Sequence, residues 1–290
     1  MRVFLLAIAL AASIEAQAPV RLPGSCSVEL VQQLDLSCSP EEPCPLYLEI
    51  NDVELVGERM MAAGNVNTPS ATLQSLLLLS DDAGKTWTEA HTRIPGAALT
   101  SIQFIDFEVG WISGHVLHPD ARDPFFLITS DGGKTWRRRA VYSEPKSGAV
   151  EFFRFDSRTS GRMAVDRGRA GENGLRYELW ESMTGGDSWS IRQVDSRAIP
   201  FPGGDAPRTK PVRVRTDAAS KSYKVERQDA TQWRSLASFA VAMGQCKPEV
   251  SEPKEEPEQP PAAAPPDSPA PTSKPNAPPP TLRRGGGRSQ

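Results

Sequence analysis

An all-β fold built of repeated antiparallel sheets is what this 290-residue sequence predicts, on three observations. Apolar runs of strand length, such as Leu76-Leu77-Leu78-Leu79 and Phe125-Phe126-Leu127-Ile128, end at Gly, Asp and Ser, the residues that punctuate strands and tight turns. The first run enters Ser80-Asp81-Asp82-Ala83-Gly84-Lys85-Thr86-Trp87, which recurs as Thr129-Ser130-Asp131-Gly132-Gly133-Lys134-Thr135-Trp136 and, worn, as Ser182-Met183-Thr184-Gly185-Gly186-Asp187-Ser188-Trp189. The tryptophans stand 49 and 53 residues apart. A period of about 40 to 50 with several strands per unit is that of β-propeller blades, here four to five, irregular or incompletely closed.

Residues 1–18 read as a secretory signal peptide: Met1-Arg2, an apolar stretch from Val3 to Ala12, then Ala16-Gln17-Ala18 as a small-x-small cleavage site. The apolar stretch falls short of the roughly 20 residues a spanning helix needs, so the mature chain is expected to carry no transmembrane segment and to be periplasmic or secreted. Residues 19–47 form a cysteine-containing lead-in. Export gives the four cysteines an oxidising setting, where two disulfides are expected and three connectivities are open. The simplest is one local loop, Cys38–Cys44, and one clasp between the ends, Cys26–Cys246. A zinc site fits less well, because Cys38-x5-Cys44 is a poor ligand spacing.

Residues 48–247 carry the repeat. In each motif the Asp can accept hydrogen bonds from backbone N–H groups further along the turn, and the Gly permits positive φ. The Trp supplies apolar surface to seal one sheet on the next. The structural residues are therefore Ser80, Asp82, Gly84, Thr86 and Trp87; Thr129, Asp131, Gly133, Thr135 and Trp136; and Ser182, Gly186, Ser188 and Trp189. A fourth, fainter copy is expected to end at Trp233. Upstream, Phe104-Ile105-Asp106 leads to Gly110-Trp111-Ile112-Ser113-Gly114, and Phe155-Asp156 leads to Gly161-Arg162-Met163, with the same Phe-to-Gly separation.

The Ser/Thr-x-Asp-x-Gly-x-Thr-Trp pattern resembles the Asp-box, or BNR, repeat. The resemblance implies scaffold, since in such families the box lies at the blade periphery, away from the active site. With its Gly-Trp-x-x-Gly element, the chain looks most like the photosystem II stability/assembly factor family and its bacterial cousins, over roughly residues 48 to 240. That resemblance implies an exported propeller for assembly or docking. Sialidases are the enzymatic relatives, and Arg93-Ile94-Pro95 matches part of their Arg-Ile-Pro motif. Here it follows a box instead of preceding the first, and Tyr47, Tyr142, Tyr177 and Tyr223 stand in no recognisable nucleophile context.

Lys+Arg 33 against Asp+Glu 36 gives a net charge of −3, without the basic surplus a phosphate-neutralising groove needs, so no nucleic acid is expected as a partner. No phosphate loop, Gly-x-Ser-x-Gly elbow or His-Glu-x-x-His motif is present, and no cofactor or metal is expected. His115 and His118 read as a surface loop, and Arg137-Arg138-Arg139 as a solvated edge. Residues 248–290 hold 13 of the 27 prolines and read as a disordered, proline-rich tail. The expected function is a non-enzymatic protein that binds another protein or an envelope component. A glycan-binding or sialidase-type protein is the alternative.

Overall fold

The computed structural model describes residues 18–117, 120–201 and 210–248. The expected signal peptide and tail, apart from residues 18 and 248, lie outside them, as does His118. After the six-residue helix α1 (Val28–Gln33), capped by the Ser27 hydroxyl accepting from Leu30 N–H, the described residues are built of antiparallel sheets. Sheet one contains β1 (Cys44–Val56), β2 (Arg59–Asn67), β3 (Thr72–Ser80) and β4 (Thr88–Glu89). Sheet two contains β5 (Ala97–Phe104), β6 (Gly110–Leu117), β7 (Ala121–Thr129) and β8 (Arg137–Ala140). Sheet three contains β9 (Ala149–Phe155), β10 (Gly161–Asp166), β11 (Tyr177–Ser182) and β12 (Ser190–Asp195). Sheet four has β13 (Val212–Asp217), β14 (Ser222–Asp229) and β15 (Gln232–Ala240), and the last strand, β16 (Ala242–Cys246), returns to pair with β1. Each sheet is a meander of neighbours in sequence, which makes the fold propeller-like.

Three apolar cores hold the sheets together. One lies between sheets four and one (Leu48, Leu76, Val225, Phe239), one between one and two (Met61, Leu77, Ile102, Phe125), and one between two and three (Trp111, Phe126, Phe155, Met163). Each box Trp seals its own sheet to the preceding one: Trp87 meets Phe239, Trp136 packs among sheets one and two, and Trp189 meets Phe126 and Phe155. Among the described residues no core joins sheets three and four. On sheet three the face away from sheet two carries Phe152 and the buried Leu179, with Phe201 packed on Phe152, beside the charged Arg162 and Glu181. On sheet four β13 turns Val212 and Val214 towards sheet one, while Arg213 and Arg215 bracket Glu226 on the other side.

The two ends of the described chain are fastened to this frame. Cys26 is bonded to Cys246 and Cys38 to Cys44. Val20 lies parallel to β15, its N–H donating to Ser238 O and its carbonyl accepting from Ala240 N–H. Sheet four thus has one residue of fourth strand where the other sheets have a whole one. The fourth copy expected at Trp233 is not a box. Asp229 to Gln232 is a hairpin between β14 and β15, whereas the boxes follow the third strand of a sheet. Trp233 is covered by the Arg213 guanidinium, 4.0 Å above its ring.

Candidate functional site

The box turns come first, because they fix where everything else points. Asp82 Oδ1 accepts from Lys85 and Thr86 N–H and from the Ser80 hydroxyl, and Oδ2 accepts from Thr86 Oγ1. Ser80 Oγ accepts from Gly84 N–H, and Trp87 Nε1 donates to Gly84 O. Asp131 repeats this with Thr129 and Thr135, Thr129 Oγ1 accepts from Gly133 N–H, and Trp136 Nε1 donates to Gly133 O. These bonds hold both carboxyls ionised, with pKa values pulled down to about 2; the Thr86 N–H leads for Asp82 and the Thr135 hydroxyl for Asp131. In the worn third box Thr184 takes the Asp position, accepting from Ser188 N–H, while Ser182 accepts from Gly186 N–H. Its exposed Asp187 instead accepts from Arg137 and Arg139 of the basic run, which lie on β8. The second and third turns also dock on the preceding sheet: Arg59 Nη1 donates to Gly132 O and Trp111 Nε1 to Gly185 O.

The inner strands form the second region. β1, β5 and β9 each carry one unpaired extra residue at the matching place: Asn51, Thr100 and Glu151. A bulge bends its strand and re-aims the side chains beside it. Opposite the first two stand Gly64 and Gly114, where a Cβ would come within 2.0 Å of Glu49 O and 2.7 Å of Ala98 O. All three bulge residues line one cavity of about 390 Å³, with Asp52, Gln103, Phe152 and Lys210. Its charged groups are tied into the frame. Asp52 accepts from Val53 and Ile102 N–H, from Ser101 Oγ and from Lys210 Nζ. Lys210 Nζ also donates to Val53 O and Ile102 O and lies 3.2 Å from Glu54. Gln103 bonds both backbone groups of Phe155 in sheet three. Glu151 differs: burial and the neighbouring Asp166 charge push its carboxyl upward.

Sequence reasoning missed these strands' bulges, although Gly64 and Gly114, 50 residues apart, were their visible trace. It also missed a buried ionic cluster between sheets two and three. Glu178 accepts from Tyr142 OH at 2.7 Å, from Trp180 Nε1 and from Arg167 Nη1. Burial, then the Glu178 carboxylate, raises the Tyr142 phenol, the opposite of what a nucleophile needs. His115, expected in a surface loop, is instead on β6 and buried, because its strand runs beneath the neighbouring sheet; burial lowers its pKa. Arg93 is held by Glu89 in a two-bond pair, and its Nη2 also donates to Pro23 O. Among the described residues no helix is long and apolar enough to cross a membrane, and no group of three or more metal-ligating side chains is gathered.

By topology and turn geometry the chain is a propeller-like protein with Asp-box turns. No family model and no curated protein matches it. Similar solved structures include YCF48 bound to D1 peptide, at 18% identity and a TM-score of 0.37, covering 67% of this chain and 56% of that one. YCF48 from Cyanidioschyzon merolae shares 18% identity at a TM-score of 0.34, over 67% and 58% of the two chains. Penicillium chrysogenum alpha-L-arabinanase complexed with arabinobiose shares 14% identity at 0.33, over 66% and 61%. The chain thus spans little more than half the length of the YCF48 chains, and superpositions this loose carry no argument about its site.

Proposed function

We propose that this chain is an exported, non-enzymatic propeller-like protein that docks another protein or an envelope component. The observation that carries the reading is the fate of Asp52 on the cavity wall. Its carboxylate accepts from two backbone N–H groups, a serine hydroxyl and a lysine, so it ties β1 to β5 and to Lys210 and is held as a structural anion. Tyr142 and Glu178, the nearest thing to a sialidase-like pair, are locked in the same way. Large apolar side chains stand exposed outside the cores, Phe107 and Met183 above all.

A glycoside-processing reading rests on Glu151 alone. A carboxyl raised by burial beside Asp166 on a cavity wall has the character of a general acid. Incubating the full chain with fluorogenic sialosides, arabinosides and xyloglucan fragments separates the two. The docking reading expects no turnover. Turnover abolished by Glu151→Gln would overturn it.

A further inference from the structure

On the rim where β1 turns into β2 and β5 into β6, an apolar groove of about 520 Å³ runs between sheets one and two. Its walls are Leu55, Val56, Phe104, Ile105, Phe107 and Pro211. Phe107 is 71% exposed, whereas the other two apolar residues of its turn, Ile105 and Val109, pack against the core between sheets two and three. The ring is nevertheless placed. It leans over Gly57, which has a φ of +69° and where a Cβ would lie 3.2 Å from Phe107 Cε1. Asp106, two residues earlier in sequence than Glu108, fixes the turn by accepting from Glu108 and Val109 N–H. Pro211 is set from the other side, because Lys210 before it is anchored to Asp52.

The rim is acidic. Asp106 and the buried Glu54 line the groove, and Glu58 and Glu108 stand next in sequence to its lining residues Gly57 and Phe107; against them Arg158 pairs with Asp106 and Glu108, Lys210 lies beside Glu54, and Arg59 is taken by Asp81. A flat aromatic, a proline and branched aliphatics beneath a rim of net negative charge suit an extended peptide that brings its own flat apolar surface and positive charge. A polyproline II strand does so at small entropic cost, because its backbone is already ordered and it leaves its carbonyls in water.

We propose that this groove is a docking site for a basic, proline-containing extended segment of a partner protein. The proposal rests on the protein-binding reading above and names its surface and the partner's chemistry. Aliphatic-proline contacts fill the floor between Phe107 and Pro211, and a lysine or arginine flanking the prolines lies against Glu58 and Glu108. Screening weakens the second contact but not the first.

The test is fluorescence anisotropy with the full chain and three labelled twelve-residue peptides: one with two Pro-Pro pairs and three arginines, one with the prolines replaced by alanine, and one with the arginines replaced by glutamate. The first is expected to bind, the other two at least about tenfold more weakly, a loss of about 1.4 kcal/mol. Phe107→Ala, an exposed position that leaves the cores untouched, is expected to weaken the first peptide about tenfold or more, in the range of an aromatic anchor. The Glu58→Lys/Glu108→Lys double variant is expected to weaken it most at low salt. No binding of the first peptide, or binding indifferent to Phe107→Ala, overturns the proposal. Cross-linking from the host envelope separates this failure from that of the docking reading: a partner held equally by wild type and Phe107→Ala condemns the groove alone, and no partner for either condemns both.

Discussion

Asp131 shows how much one side chain decides. Its neighbours at positions 129 and 135 supply two hydroxyls and an N–H, and the carboxylate that accepts them holds a proton only near pH 2. A pKa below the unfolded value means the folded state binds fewer protons, so this stabilisation is complete above about pH 4 and is lost as pH falls towards 2. Asp131→Asn is expected to lower the thermal midpoint at pH 7 and to flatten its decline between pH 4 and 2, as read by circular dichroism. His115 acts in a higher window. Burial depresses its pKa below the usual 6.5, so stability is full above that value and drains as pH drops below it, where protonation must charge a buried ring. His115→Phe is expected to remove this part of the slope below about pH 6.5 in denaturant titrations. Lys210 carries the most. Lys210→Met leaves Asp52 and Glu54 with an uncompensated charge beside the cavity, at an expected cost of about 3–5 kcal/mol by urea unfolding. The two aspartates of the box could be read from sequence because their partners are two to four residues away. The partner of Lys210 is 158 positions distant, and no local spacing announces it.

At the scale of elements, the strands before each box were legible from apolar runs and their turn residues, since side-chain alternation and β-turn chemistry are local. α1 was not, because six residues with one capping serine give too little periodicity to separate from a loop. The hairpin at Asp229–Trp233 was misread for a related reason: an Asp, a Thr and a Trp in the order of the motif resemble it although the Asp-to-Trp separation is one residue short, while its position between second and third strands is a property of the sheet. The bulges on β1, β5 and β9 left only their opposing residues in the sequence. Gly64 is the strictest of these, with a Cβ 2.0 Å from Glu49 O, and Gly114 follows, with a Cβ 2.6 Å from the Phe125 ring and 2.7 Å from Ala98 O. Gly114→Ala is expected to cost about 1–3 kcal/mol, the range of core overpacking, where an alanine on an open strand would be neutral.

For the whole molecule the decisive feature is that three continuous apolar cores join the four sheets in the order four, one, two, three. The ends of the described chain return to sheets one and four. The Cys26–Cys246 bond closes a separation of 220 residues and Cys38–Cys44 one of 6. Loop-closure entropy then makes the long clasp worth about 5 kcal/mol and the short one about 2. Cys26→Ser/Cys246→Ser is accordingly expected to lower the urea midpoint well beyond Cys38→Ser/Cys44→Ser. Equal losses would mean that the β16–β1 pairing holds the end without help.

The sequence by itself determined the repeat, the turn chemistry and the strand class. Each of these depends on residues within one turn of the chain, and hydrogen bonds or side-chain alternation over that span leave a periodic trace. Tertiary structure alone decided that Lys210 would lock Asp52, that His115 would be buried, that Trp233 would stand outside a box, and that Phe107 and Pro211 would share a groove. Those outcomes join residues from different sheets, and packing between sheets selects partners by shape and charge rather than by distance along the chain.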